Sequence, residues 1–200
     1  LLYKNRTYKI KDNTNVGNQI LNKLTNSLDM FSNGSQWEAD EVFWRNKNIE
    51  EYSSFWKNST PKIEKILREE NIYENKKYSK TAAIHFRCSD SPFNRQPKYT
   101  LLSLEFYDFV TDIINKTEGI EEIVFINCSD WKAHYLAKEK CTEYINVIAD
   151  RISEKTSIKI TKNPICLPVK ETYEIMLGSK ILVNSGSSFS FVPGMLKGKN

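Results

Sequence analysis

The sequence predicts an α/β fold, with a Rossmann-like parallel sheet in its C-terminal half and a small, helix-rich lobe before it. After about residue 80, short apolar runs rich in β-branched residues alternate with helical patterns. Such alternation is typical of a parallel sheet that helices cover on both faces. Before that point the chain is polar, and its apolar residues recur at helical spacing. We therefore expect one lobe over 1–80 and a second, sheet-containing lobe over 81–200.

The first lobe contains two predicted helices with an aromatic segment between them. Apolar residues at helical spacing predict a helix over about 16–30. A second helix is predicted to start at Thr60, as N-cap, with Pro61 at the first helical position. The aromatic residues between 37 and 56 are interpreted as core and lobe contacts, or alternatively as a wall on which sugar rings stack.

In the second lobe the elements follow one another as strand and helix. A helix after the first strand is predicted to bury Phe106, Phe109, Val110, Ile113 and Ile114 on one face. The predicted strands are 81–86, 122–126, 144–148 and 180–183, and the other predicted helices are 131–140, 171–178 and 188–196.

Composition excludes several classes of protein. The chain has 200 residues, of which 40% are hydrophobic and 27% charged, as in ordinary globular domains. This composition excludes a disordered chain, a collagen-like fibre and a small disulfide scaffold. No apolar run approaches the roughly 18 residues that a membrane span needs. The net charge of +4 is dispersed among acidic residues, which does not favour a dedicated nucleic-acid binder.

Cysteine, histidine and asparagine patterns bear on metals and on the compartment. The four cysteines lack zinc-type spacing, and two histidines are too few for a His-rich metal site, so no metal is predicted. The cysteines are interpreted as small buried residues near strand ends. No signal peptide is predicted, which leaves a cytoplasmic chain or the trimmed lumenal portion of a secretory-pathway enzyme. The sequence has five N-x-S/T sequons, which begin at Asn5, Asn33, Asn58, Asn115 and Asn127. This is only slightly more than the composition would give by chance and does not establish a secretory route. No glycan is expected at Asn127, because it lies at a predicted strand end.

Three polar clusters follow predicted strands, where ligands bind in open parallel sheets. The segment 85–90 supplies Arg87, whose guanidinium matches phosphate oxygens with parallel hydrogen bonds. The serine-rich segment 185–190 opens a helix, so its amides and the helix dipole favour an anion, although a plain N-cap turn has the same pattern. Asp130 follows the second strand and is either an N-cap or a contact to a base or ribose.

Several motifs that would point to other enzymes are missing. The sequence has no P-loop and no GxGxxG, which disfavours ATPases, kinases and dinucleotide oxidoreductases. It also lacks a GxSxG elbow. No DxD-type pair follows a strand, which disfavours a metal-dependent nucleotide-sugar site.

Taken in order, the polar clusters resemble the α-1,2-fucosyltransferase family and its wider fucosyltransferase superfamily. The resemblance spans about residues 15–196. It depends on Gly17-Asn18-Gln19 in 15–20, on a His-x-Arg-x-x-Asp pattern in 84–90, and on the segments 104–107, 124–131 and 173–190. It implies a GT-B-like fold and a metal-independent, inverting transfer of fucose from GDP-fucose to a glycan hydroxyl, with the GDP-sugar as donor and no other cofactor.

The resemblance also implies roles for individual residues. Arg87 would bind the β-phosphate and stabilise the departing diphosphate, while His85 and Asp90 would shape the sugar end. The other expected donor contacts are Ser187, Ser188 and Phe189 at the diphosphate, Asp130 near the nucleoside, and Gly17 and Asn18 across the cleft on the acceptor-side lobe. The general base is open: Asp90 is one candidate, and Glu38, Asp40 and Glu41 are others.

Two alternatives to a fucosyltransferase remain open. One is a non-catalytic glycan- or nucleotide-binding domain of the same fold. It is favoured by Ser89, where the family has glycine, and by Gly186, which is an extra residue in the serine stretch. The other is a transferase that uses a different nucleotide sugar, since Arg87 reads phosphate and not sugar.

Overall fold

The computed structural model describes residues 49–73, 76–88, 101–127, 137–163, 166–185 and 188–197. The described residues belong to two compact units: residues 49–73 with Pro168–Lys170 form the first, and the remaining described residues, which include the sheet, form the second. The elements in chain order are α1 (Ile49–Glu69), β1 (Thr81–His85), α2 (Leu104–Lys116), β2 (Glu122–Ile126), α3 (Ala137–Ser153), β3 (Lys159–Lys162), α4 (Val169–Gly178), β4 (Ile181–Val183) and α5 (Ser188–Lys197).

Helix α1 corrects the prediction that a helix starts at Thr60. The helix already includes Ile49, and Pro61 lies in its interior. The helical spacing of apolar residues in the sequence extends upstream of Pro61, through Tyr52 and Trp56, and this favours one continuous helix despite the missing N–H of proline. The predicted helix over 16–30 and most of the aromatic segment lie outside the described residues.

The end of α1 is defined by its backbone hydrogen bonds. Asn71 adopts a left-handed conformation with φ 56°, which asparagine tolerates better than most residues. This turn lets Ile72 N–H donate to Leu67 O at 2.9 Å, a 6→1 bond that closes the last turn of the helix. Ile63, Leu67 and Ile72 are fully buried.

The sheet of the second unit confirms the predicted α/β class. Its four strands are all parallel and lie in the order β3-β2-β1-β4. The register pairs Ile84 of β1 with Phe125 of β2 and with Val183 of β4. Strands β1, β2 and β4 fall within the predicted ranges 81–86, 122–126 and 180–183.

Helices cover both faces of the sheet, as the continuous apolar strands predict. Ala82 and Ile84 point to the face that packs on α2 and α3, whereas Ala83 points to the opposite face, with Ile175 and Met176 of α4. The chain therefore changes faces between β3 and β4, at the same step at which it crosses from one edge of the sheet to the other.

The predicted strand over 144–148 is wrong, because these residues lie within α3. Cys141, Ile145, Ile148 and Ile152 are buried and recur every three or four residues, which is the helical period. The third strand is instead β3, a short edge strand in which lysines flank Ile160 and Thr161. Lysine is common on such edges because it discourages pairing with another chain.

The predicted buried face of α2 is wrong in part. Val110 and Ile114 are buried, but Phe109 is 63% exposed and Ile113 is 42% exposed. The helix buries Tyr107 and Thr111 in their place. Burying Thr111 carries little penalty because its hydroxyl donates to Tyr107 O at 2.7 Å within the helix. Phe106 is half-buried and packs against the edge of the same core.

A disulfide bond joins Cys88, three residues past β1, to Cys141 in α3, across a sequence separation of 53. Cys166 is disulfide-bonded as well. The interpretation of the cysteines as merely small buried residues is therefore wrong, although Cys88 and Cys141 are indeed buried. Sequence alone could not give the pairing, since it depends on α3 packing beside the end of β1.

None of the described helices combines the length and the apolarity that a bilayer crossing requires.

Candidate functional site

The candidate site lies at the carboxyl ends of β1 and β4, two neighbouring strands of the sheet. After β3 the chain crosses to the other side of β1 and to the other face, so β1 and β4 flank the point at which the winding of the sheet reverses. In doubly wound folds the loops diverge at such a point and leave a crevice, which is where ligands bind. The residues that follow β1 and β4 are 86–88 and 184–185.

Ser185 connects the two strand ends. Its hydroxyl oxygen accepts a hydrogen bond from the backbone N–H of Arg87 at 2.9 Å. The same oxygen lies 3.0 Å from Nδ1 of His85. With a neutral imidazole, the hydroxyl of Ser185 donates to Nδ1, so that Ser185 both donates and accepts. One serine thereby holds the end of β1, the backbone of Arg87 and the segment after β4 in a fixed relation.

His85 is neutral in this environment. It is only 8% exposed. Burial, aided by the positive charge of Arg87, lowers its pKa to about 4, because both effects disfavour the imidazolium form. Its ring also lies 6.0 Å from the ring of Phe189, centroid to centroid. The side chain is therefore held on two sides, by Ser185 and by Phe189, which fits a positioning residue better than a base that exchanges protons with substrate.

Arg87 brings a permanent positive charge to the carboxyl ends of the strands. Its residue is half-buried, so the charge is partly shielded from water. It lies close enough to His85 to lower the pKa of that ring. A partly desolvated guanidinium at a strand end binds an oxyanion more strongly than one in bulk water does, because the local dielectric is lower.

Helix α5 begins at Ser188, as predicted. Hydrogen bonds connect its first turn to Ser185, after β4, and to Tyr173 of α4. The Ser190 hydroxyl donates to Ser185 O at 3.4 Å, and the Tyr173 hydroxyl donates to Phe189 O at 3.3 Å. The rings of Tyr173 and Phe189 meet edge to face with centroids 5.3 Å apart. These contacts fix the N-terminus of a ten-residue helix beside the end of β1. Its first amides and its dipole favour a negative charge there.

Asn127 directly follows β2, which pairs with β1 on the side away from β4. It is 7% exposed, and among the described residues its Oδ1 is a buried acceptor with no hydrogen-bond donor. An unsatisfied buried acceptor costs free energy, so a donor from a ligand would be bound favourably there. The backbone of Phe86 donates to Ile126 O at 2.8 Å, which keeps the ends of β1 and β2 together.

The structure brings together four of the predicted site residues and leaves five undescribed. His85 and Phe189 are in ring contact, and Arg87 and the start of α5 at Ser188 follow neighbouring strands. The other five predicted site residues lie outside the described residues; they are Gly17, Asn18, Asp90, Asp130 and Ser187. The further candidates for the general base, Glu38, Asp40 and Glu41, lie outside the described residues as well.

Neither Ser185 nor Asn127 stands out in the sequence as an individual site residue. Ser185 was available only as one member of a serine-rich segment, and its role depends on the register that sets β4 beside β1. Asn127 begins a sequon, and its burial agrees with the expectation that no glycan attaches there. In both cases the distinguishing signal is tertiary.

Metals and known relatives add no further identification. Within the described ranges, no group of three or more His, Cys, Asp or Glu residues is arranged to hold a metal ion. Comparison with protein-family models, with curated proteins and with solved structures finds no match. The arrangement of the strand ends is therefore the evidence on which a functional proposal depends.

Proposed function

We propose that this chain is a glycosyltransferase that transfers fucose from GDP-fucose to a glycan hydroxyl, with inversion and without a metal ion. One observation carries the proposal: Ser185 links His85 and the backbone of Arg87 to the segment that leads into α5. This linkage fixes the backbone of Arg87 to Ser185, at the switch point of the sheet and shortly before the N-terminus of α5. A cation and a helix N-terminus near one switch point suit a diphosphate.

In the proposed reaction, the bond between the anomeric carbon and the diphosphate oxygen breaks while an acceptor oxygen bonds to that carbon. The diphosphate then carries additional negative charge, and the guanidinium of Arg87 with the amides of α5 stabilises it. Such stabilisation of a developing charge is commonly a large part of catalysis. The hydroxyl proton goes to a carboxylate, for which Asp90 is our candidate.

His85 has a positioning role in this proposal. Its lowered pKa keeps the ring neutral at physiological pH. A neutral ring does not repel the neighbouring guanidinium of Arg87, and its contact with Ser185 orients the segment that carries Arg87. Ser187, Ser188, Phe189 and Asp130 are proposed as further donor contacts.

The GT-B-like arrangement is part of the same proposal. The described four-stranded parallel sheet supports the part of the proposal that assigns a Rossmann-type lobe to the nucleotide. Gly17 and Asn18, in the acceptor-side lobe, are proposed as further contacts to the donor.

Calorimetric titration with GDP, UDP and GDP-fucose, with and without a chelator, tests the proposal. We expect GDP-selective binding that the chelator does not change. In Arg87→Ala, loss of charge-assisted hydrogen bonds worth about 2 kcal/mol or more lowers the affinity for GDP at least about 30-fold. The matched control is Arg151→Ala, because Arg151 lies in the last turn of α3, away from the carboxyl ends of the strands, and pairs with Asp108 at 2.8 Å.

The outcomes separate the candidate functions. Wild-type affinity in a folded Arg87→Ala variant contradicts the phosphate assignment. Selective binding of GDP, with no GDP formed from GDP-fucose when glycan acceptors are present, identifies a binding domain in place of an enzyme. Preference for UDP over GDP identifies a transferase for another nucleotide sugar.

A further inference from the structure

We propose that Asn115 is an N-glycosylation site, occupied because the chain matures in an oxidising secretory compartment. Two independent features carry this inference. One is the presence of disulfide bonds in the second unit. The other is the position of one exposed sequon near the amino ends of the strands, away from the candidate site at their carboxyl ends. Neither feature depends on the proposed enzymatic function.

The disulfide bonds indicate the compartment. Cys88 and Cys141 are joined, both are buried, and Cys166 is disulfide-bonded as well. Structural disulfides form and persist in the secretory pathway, whereas cytosolic thiols are kept reduced. For each bond, two thiols lose two electrons and two protons to a thiol–disulfide oxidoreductase. A chain that passes through this compartment also meets the enzyme that glycosylates sequons.

The described sequons differ in accessibility. Asn127 is 7% exposed at the end of β2, where an attached sugar would have to displace the core. Asn58 is exposed on α1, but Pro61 follows its sequon directly and restricts the backbone of Thr60. Asn115, in the last turn of α2, is exposed, and so are its neighbours Asp112, Lys116 and Gly119.

The geometry at Asn115 accommodates a sugar without loss of the native contacts. Nδ2 of Asn115 donates to Lys155 O at 3.0 Å on the exposed surface. Glycosylation replaces one of the two hydrogens on Nδ2, so the remaining hydrogen can still make this bond. The hydroxyl of Thr117, the third residue of the sequon, donates to Ile113 O at 2.8 Å and is likewise independent of the sugar.

The position of Asn115 also keeps a glycan away from the candidate site. Helix α2 follows β1 and ends just before β2 begins, so its C-terminal end lies at the amino ends of the strands. Nearby, Lys180 Nζ donates to Glu118 O at 2.6 Å, which ties this turn to the start of β4. The candidate site, with His85, Arg87 and the start of α5, lies at the carboxyl ends of the strands, which is the opposite end of the sheet.

The modification itself forms a bond between Nδ2 of Asn115 and the anomeric carbon of a sugar. The donor is an oligosaccharide on a polyprenyl diphosphate, and the bond from the anomeric carbon to the diphosphate oxygen breaks. The proton that leaves Nδ2 is balanced by the negative charge of the released diphosphate.

Peptide mapping of the full chain purified from its own cells tests this inference. Deglycosylation with peptide N-glycosidase in ¹⁸O-labelled water converts each occupied asparagine into a labelled aspartate. We expect the label at Asn115 and not at Asn127. Thiol titration of the denatured, unreduced protein is expected to show no reaction at Cys88, Cys141 or Cys166.

Variants made in the same cells separate the sequon from the fold. Asn115→Gln and Thr117→Ala both remove one glycan, seen as a single step in gel mobility, whereas Thr117→Ser keeps it. An unlabelled Asn115 in the purified protein overturns the inference. So does free thiol at Cys88 and Cys141, and so does an unchanged mobility in both Asn115→Gln and Thr117→Ala.

Discussion

Replacing Cys88 and Cys141 by alanine removes a crosslink that closes a segment of 53 residues. In the chain-entropy account, a crosslink stabilises the native state by restricting the unfolded chain, and a loop of this length corresponds to about 4 kcal/mol at 25 °C. Urea unfolding measures this loss. With a slope of about 2 kcal/mol per molar for a domain of this size, the midpoint falls by about 2 M.

A double-mutant cycle makes this prediction specific to the crosslink. Cys88→Ala and Cys141→Ala each break the same bond, so each single variant loses nearly the whole stabilisation. The double variant is therefore expected to be only about 1 kcal/mol less stable than either single variant, which reflects the second buried sulfur. If the two single costs add in full, the side chains act independently and the crosslink does not stabilise the protein.

Two further predictions concern the residues around the strand ends. Because the pKa of His85 is about 4 when folded, the unfolded chain, with an ordinary value of about 6.5, binds a proton that the native state excludes. The contribution of His85 to the free energy of unfolding is thus fully present above about pH 6.5 and falls by about 3 kcal/mol as the pH drops to about 4. In His85→Gln, the free energy of unfolding, measured with urea between pH 7 and 4, is expected to lose this part of its pH dependence. An unchanged pH dependence in the variant contradicts the prediction. A Cβ on Gly194 of α5 would collide with the side-chain amide of Asn184. Gly194→Ala is therefore expected to be more favourable in an Asn184→Ala background by about 1 kcal/mol or more, because the helix-propensity gain is the same in both backgrounds and only the cost of the collision differs. Equal effects of Gly194→Ala in both backgrounds, measured by urea unfolding, show that the two residues do not contact each other.

The fold class was predictable from local pattern because the strands of a parallel sheet are nearly continuous apolar runs. Glu122–Ile126 matches its predicted strand, and Thr81–His85 and Ile181–Val183 differ from theirs by one residue. The strand predicted over 144–148 failed because a short run of Tyr, Ile and Val suits either a strand or a buried helix. Only the continuation of the period to Ile152 and back to Cys141 identifies α3.

The rotation of a helix is less predictable than its existence. The sequence of α2 offers two neighbouring apolar stripes, one through Phe109 and Ile113 and one through Tyr107 and Ile114. The structure buries the second, because packing against β1 and β2 selects the stripe and the internal hydrogen bond of Thr111 removes the penalty of its hydroxyl.

For the candidate site, residue chemistry was predictable and connectivity was not. Arg87 and the serine-rich start of α5 stood out because a permanent cation and a helix N-terminus both attract anions. The role of Ser185 did not, because its two contacts, to Arg87 and to His85, span 98 and 100 residues of sequence. No local pattern encodes contacts at that range.

The α/β class and the position of three strands were therefore predictable from the sequence, because each depends on a local period. The sequence also indicated Arg87 and the start of α5 as candidates for anion binding, because this rests on the chemistry of single side chains and of a helix N-terminus. The tertiary structure decided the strand order, the pairing of Cys88 with Cys141, and the meeting of His85, Arg87 and Ser185. These depend on which distant segments become neighbours, and that is settled by packing of the whole core and by the entropy of closing long loops, not by any one segment.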